Sequence, residues 1–200
     1  MGWARKSMDK LAYEVDDISP ARKAIDRTII KAIEAFLRFF AAHWLAILNL
    51  VNFGFVAGAI LSPILMALGA TQLGRSIFFP YRLVCHQLPY RSDFIFGFQV
   101  AMCQRNMAIY ASMFLAGVGF AFVRTRLKPL PWQWYLVLIT PMAIDGFTQL
   151  FGFRESNWTL RVITGTLFGV ASVWLAYPHL EIGIKQITEP VPSTQQNEVT

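Results

Sequence analysis

The chain has 200 residues, 55% of them hydrophobic and only 15% charged, with a mean hydropathy of +0.44. Several apolar runs approach bilayer length, which excludes a soluble domain and indicates an all-α integral membrane protein, since backbone in lipid must satisfy its own hydrogen bonds. The net charge of +6 sits in flanks and loops rather than in a basic module, which excludes nucleic acid as a partner and leaves the lipid bilayer.

Residues 1–18 read as a polar arm without a removable signal segment. Ser19-Pro20 then marks a helix start, with Ser19 as cap. Ile25, Ile29, Ile33, Phe36, Leu37 and Phe40 recur at helical spacing opposite Arg22, Lys23, Asp26, Arg27 and Lys31. That pattern predicts an amphipathic helix lying on the membrane surface, so that residues 1–41 form an arm plus an interfacial helix. A first span follows from His43 to Leu68, with Trp44 at the aromatic belt and Gly54, Gly58 and Pro63 inside it.

Residues 69–93 form a long connection containing Cys85-His86-Gln87, of a length that usually serves a function. Ser92 or Asp93 is expected to cap a second helix running to Val123. On it Gln99, Cys103, Asn106 and Tyr110 would share one face, while Arg105 falls off that stripe and would snorkel. After the basic turn of Arg124, Arg126 and Lys128, a short third span covers Trp132 to Phe147 and a fourth Leu160 to Tyr177. The membrane bundle thus occupies residues 42–178, and residues 179–200 read as a polar, disordered tail.

Charge sets the orientation. The segment through Arg38 carries eight Lys and Arg, and the turn from Arg124 to Pro131 carries three. The stretch from Gly69 to Asn106 has four in a much longer length, and that from Thr148 to Leu160 has one. With four spans the dense segments share the cytoplasmic side of a plasma membrane, and both termini lie there. Every unusual polar residue then converges on the opposite, extracytoplasmic end.

That convergence nominates a polar cluster of Cys85, His86, Gln87, Arg91, Gln99, Cys103, Arg105, Asp145, Gln149, Arg154, Glu155, Ser156, Asn157, Arg161 and Thr164. Two roles fit it. One is a clasp in which Asp145 pairs with Arg161, or Arg154 with Glu155, to fix helix register. The other is an anion pocket in which Arg91, Arg154 and Arg161 hold phosphate or carboxylate and Asp145 or His86 acts as base. Cys85 and Cys103 admit three states: a disulfide, free thiols, or part of a metal site with His86 that lacks an evident fourth ligand. No cofactor is otherwise expected.

The run Cys85-His86-Gln87-x-Pro89-x-Arg91-Ser92, then Gly97-x-Gln99, Cys103-x-Arg105 and Ile109-Tyr110, resembles the membrane-protein family called domain of unknown function 2085. Asp145-Gly146-x-x-Gln149 and Arg154-Glu155-Ser156-Asn157-x-x-x-Arg161-x-x-Thr164-Gly165 are similar to its second block. The resemblance implies a helical membrane protein and supplies no reaction. It also implies a third cysteine where this chain has Asn106, so a cluster of three cysteines and a histidine is incomplete here. The expectation is a bundle of about four transmembrane helices. It would act as an accessory or assembly subunit of a membrane complex or, alternatively, as an enzyme or binder for an anionic lipid-linked ligand at the outer leaflet.

Overall fold

The computed structural model describes residues 20–188. The expected arm, the Ser19 cap and residues 189–200 lie outside them. The chain divides between His43 and Trp44 into two compact units. Among the described residues three helical segments are long and apolar enough to cross a membrane: Ile25–Ala67, Gln104–Val123 and Trp158–Gln186.

In the first unit Ile25, Ile29, Ile33, Phe36 and Leu37 are exposed, and Arg38 donates to Glu34 at 3.3 Å one turn away. The expected break between a surface helix and the first span is not there. Both belong to one helix, α1 (Pro20–Ala67). The junction Phe39-Phe40-Ala41-Ala42-His43-Trp44 contains neither glycine nor proline, so nothing interrupts the ladder.

The second unit continues with α2 (Thr71–Phe78), short 3-10 turns at Phe79–Leu83 and Pro89–Arg91, and strands β1 (Ser92–Ile95) and β2 (Phe98–Cys103). Three helices follow, α3 (Gln104–Val123), α4 (Trp132–Leu150) and α5 (Trp158–Thr188). The strands correct the sequence expectation that a helix starts at Ser92 or Asp93. They pair antiparallel, with Phe94 opposite Gln99 and Ile95 opposite Phe98, and a bulge lies between Ser92 and Phe94. Phe96 and Gly97 both have positive φ, 52° and 82°, the geometry of a two-residue hairpin turn that matches strand twist. The first turn of α3 is therefore at Gln104, and the supposed helical stripe from Gln99 to Tyr110 does not exist.

Helix α5 also runs eleven residues beyond its expected end at Tyr177. Pro178 is accommodated inside it, and the helix continues to Thr188 rather than giving way to a tail at 179. The continuation places Glu181 where Arg124 donates to it at 2.7 and 2.9 Å and Lys185 lies 3.3 Å away.

Two small cores hold this unit. Trp44, Phe120, Val173 and Tyr177 form one, with the Trp44 and Tyr177 rings edge to face at 5.4 Å. Trp44 is thus a core residue and not a belt anchor. Tyr81 anchors the other, with Ala59, Val100, Ala101 and Met102, and its hydroxyl donates to the Phe55 carbonyl at 2.9 Å. Helices α3 and α5 touch through Gly165 and Gly169. A Cβ on Gly165 would sit 2.7 Å from the Arg105 carbonyl oxygen, and one on Gly169 2.6 Å from that of Ile109. Small residues at these positions let the two backbones meet.

Candidate functional site

Helices α3 and α5 begin, and α4 ends, at the same end of the second unit. The connection from α2 to β1 folds over that end. Its fixing points are glutamines. Buried Gln87 donates from Nε2 to the carbonyls of Phe78 at 2.8 Å and Ala101 at 3.0 Å, and accepts from Arg82 Nε at 3.3 Å. Gln99, carried on β2, donates to the Gln87 carbonyl at 2.8 Å and to Ser92 Oγ at 3.1 Å. Gln87 holds a φ of 52°, which a side chain tolerates only where its surroundings enforce it. Both glutamines are braces for the loop rather than free ligand groups.

Behind the loop lies a cavity of about 210 Å³ lined by Cys85, His86, Arg91, Cys103, Arg105 and Arg161, with Asn106 and Gln149 completing its polar wall. The ion pairs around it differ from the expected clasp. Asp145, 1% exposed, does not meet Arg161. Its Oδ2 receives Arg105 and, at 2.8 Å, Ser156 Oγ; its Oδ1 receives Arg154 at 2.7 Å. Arg105 does not snorkel: its backbone packs against Gly165 of α5 and its guanidinium reaches Asp145. Arg161, 5% exposed, instead donates to Gln104 Oε1 at 3.1 Å and to the Tyr90 carbonyl at 3.4 Å. Exposed Glu155 lies 3.7 Å from Arg161 and 3.6 Å from Arg91, and takes a 2.8 Å bond from Gln149.

Four guanidinium groups are thus met by two carboxylates, which leaves an excess of two positive charges. Arg91 and Arg105 are near enough to act on the charge of Arg161. The Nε atoms of Arg91, Arg105 and Arg161 are buried and have no partner, and among the described residues they are the only buried side-chain donors in that condition. A buried donor left unmade costs about 1–3 kcal/mol, more for a charged group, so three in one lining ask for an acceptor.

Cys85 and Cys103 are free thiols. The Cys85 sulfur accepts the backbone N–H of Cys103 at 3.2 Å and that of Gln87 at 3.5 Å. A hydrogen bond from the Cys103 thiol, seconded by these two backbone donors, lowers the Cys85 pKa to about 6 against the opposing effect of burial. Cys103 moves the other way, above the ordinary thiol range, because it shares its proton with a neighbouring thiolate and is itself buried. Among the described residues no three His, Cys, Asp or Glu side chains gather as a metal site would need.

The remaining nominated residues serve the helices. Asn157 caps α5, its Oδ1 accepting the Leu160 N–H at 2.8 Å, and Thr164 bonds back to the Leu160 carbonyl at 2.7 Å. Gln104 was not singled out in the sequence. Besides Arg161 it reaches Asp93 Oδ1 at 3.0 Å, and only the true start of α3 could have revealed it.

Residues 85–175 match the family described as Predicted membrane protein (DUF2085). An uncharacterized protein of Methanocaldococcus jannaschii is 37% identical over 132 residues, covering 62% of this chain and 84% of its own length. This chain belongs to the family. An uncharacterized protein of Methanothermobacter thermautotrophicus is 34% identical over 90 residues, 45% of this chain and 81% of its own. No solved structure matches the chain. The family match begins at Cys85 and takes in the cavity's lining residues except Val84, so this membrane protein carries nearly all of its cavity inside the family region.

Proposed function

We propose that this family member binds the phosphate-bearing headgroup of a lipid or lipid-linked molecule in the cavity at the N-terminal ends of α3 and α5. The observation that carries this is the set of three buried, unpartnered guanidinium Nε groups on one lining. Arginine forks suit phosphate oxygens, and the positive ends of two helix dipoles add to them. A lining with unspent donors favours a binder over the accessory-subunit role also raised by the sequence. Lipid is favoured as the source because exposed Phe79, Tyr90, Phe94 and Phe96 surround this end, as aromatic residues do at headgroup level.

In this reading α4 crosses beside α3 and α5. Its nineteen residues span about 28 Å, and connections of a few residues at each end force it antiparallel to both neighbours. The bundle then has four crossings in the cell membrane, the turn of Arg124, Arg126 and Lys128 and both termini facing the cytoplasm, and the cavity opening outward. The test is titration of the purified protein with short-chain phosphatidic acid and with inorganic phosphate, followed by native mass spectrometry. Arg161→Ala and Arg91→Gln are each expected to weaken binding about tenfold or more while the melting curve of Arg91→Gln stays in place. Equal binding by wild type and both variants refutes the site. Binding of inorganic phosphate without preference for the lipid refutes the lipid source.

A further inference from the structure

The sulfur of Cys85 lies on the same lining as the three guanidinium groups, and nothing in the binding role needs a sulfur there. Arg91 follows it by six positions on the same braced loop, so one loop delivers both an anion-holding fork and a thiol to one cavity. Two backbone N–H groups converge on that sulfur. The left-handed turn at Gln87 aims its N–H back at the Cys85 sulfur, and the start of α3 adds the N–H of Cys103. A cysteine kept only for packing would have no use for two backbone donors, whereas a thiolate nucleophile does.

We propose that Cys85 is a catalytic nucleophile that takes the phosphoryl group from a phosphate monoester bound in this cavity. The step rests on the phosphate-binding reading above. A phosphate has three non-bridging oxygens to offer the donors of Arg91, Arg105 and Arg161, and an electrophilic phosphorus at their centre; a carboxylate offers two oxygens and resists thiolate attack. The thiolate attacks phosphorus, an S–P bond forms, and the P–O bond to the leaving alcohol breaks. The electron pair stays on the alcohol oxygen, which takes a proton from His86, the exposed imidazole on the lining. Water then attacks phosphorus, gives its proton back to His86, and the S–P bond opens to release inorganic phosphate and restore the thiolate. Nothing is oxidised or reduced. The cavity holds roughly seven waters' worth of space, enough for a phosphate group and an attacking water, with the rest of the substrate left outside.

The experiment uses the full chain in lipid nanodiscs, with phosphatidic acid in the disc as one substrate and para-nitrophenyl phosphate in solution as the other. Phosphate release is measured, and acid-quenched samples are searched by mass spectrometry for a phosphorylated Cys85 peptide. Wild type is expected to release phosphate and to yield the Cys85 adduct. Cys85→Ser is expected to lose release by about a thousandfold or more while still binding phosphatidic acid, which also shows that it is folded. Release undiminished in Cys85→Ser, or an adduct on any other residue, overturns the proposal. Wild-type protein that binds phosphatidic acid but releases phosphate from neither ester overturns it as well and leaves the binding role standing. Protein that neither binds nor releases overturns both.

Discussion

Replacing Asp145 with Asn removes one charge and almost no volume from the best-connected point of the molecule. Asp145 is 1% exposed and holds Arg105, Arg154 and Ser156 at once. The three partners do not weigh equally. Arg154 has a side chain 46% exposed and can turn to solvent, so its bond contributes less than about 1 kcal/mol. Arg105, 18% exposed and already short of one partner at Nε, is left as a buried charge facing an amide. Breaking such a pair costs about 3–5 kcal/mol, which in a chain of this size is a fall in melting temperature of the order of 10 °C. Thermal unfolding of the detergent-solubilised protein, followed by loss of the monodisperse peak, reads the difference. The partner variants separate the contributions: Arg154→Ala should move the midpoint by a degree or two at most. Arg105→Met combined with Asp145→Leu should recover much of the loss, because no orphaned charge remains near the core. If Asp145→Asn melts with wild type, the carboxylate is not what holds α3 to α4, and the role assigned to it here is wrong.

Two further outcomes are expected. Alkylation of Cys85 by a small reagent such as iodoacetamide should rise with pH and reach half its plateau rate near pH 6, while Cys103 stays unmodified through pH 8; a midpoint near the ordinary thiol value of 9.0 would refute the lowered pKa. The sign follows from linkage: a folded-state value below the unfolded one makes the Cys85 contribution to stability complete above about pH 9, and it is lost as pH falls to about 6. Gly165→Ala should push α3 and α5 apart, since the added carbon meets a carbonyl oxygen at 2.7 Å that cannot yield, and should destabilise by about 1–3 kcal/mol in the same melting assay. An unchanged midpoint there would mean that the helix contact is looser than the structure has it.

The helical membrane class was legible because it depends only on long apolar runs, and the end of the bundle that carries the site followed from which loops those runs join. What failed was local. Phe94-Ile95-Phe96-Gly97-Phe98 is apolar throughout, too short for periodicity to separate strand from helix, and Gly97 was the one letter that marked a turn. Missing that turn moved the start of α3 by about three helical turns, and it put Gln99 and Cys103, which lie on β2, on a helical stripe. Arg105 was read as pointing away when it lies on the stripe, with Ala108, Ile109 and Ser112, that meets the glycines of α5. The choice among Arg91, Arg105, Arg154 and Arg161 as the partner of Asp145 could not have been made from spacing in any case, because Arg105 lies forty positions away and on another helix.

Charge alone would not have picked the right end of the bundle either. The opposite end of α3 also presents a buried carboxylate among basic groups, Glu181 with Arg124 and Lys185. There the count closes: the carboxylate takes two bonds from Arg124 and sits against Lys185, and no buried donor of that group lacks a partner. Such a cluster is a finished clasp, stable without a ligand. At the cavity end the Nε groups of Arg91, Arg105 and Arg161 are buried without a partner, on residues that line one cavity. The difference between a structural ion pair and a binding site is therefore not the density of charge but whether its hydrogen bonds are all made. By that criterion the cavity end, with its three unpartnered Nε groups, is the place where the proposed binding should be tested.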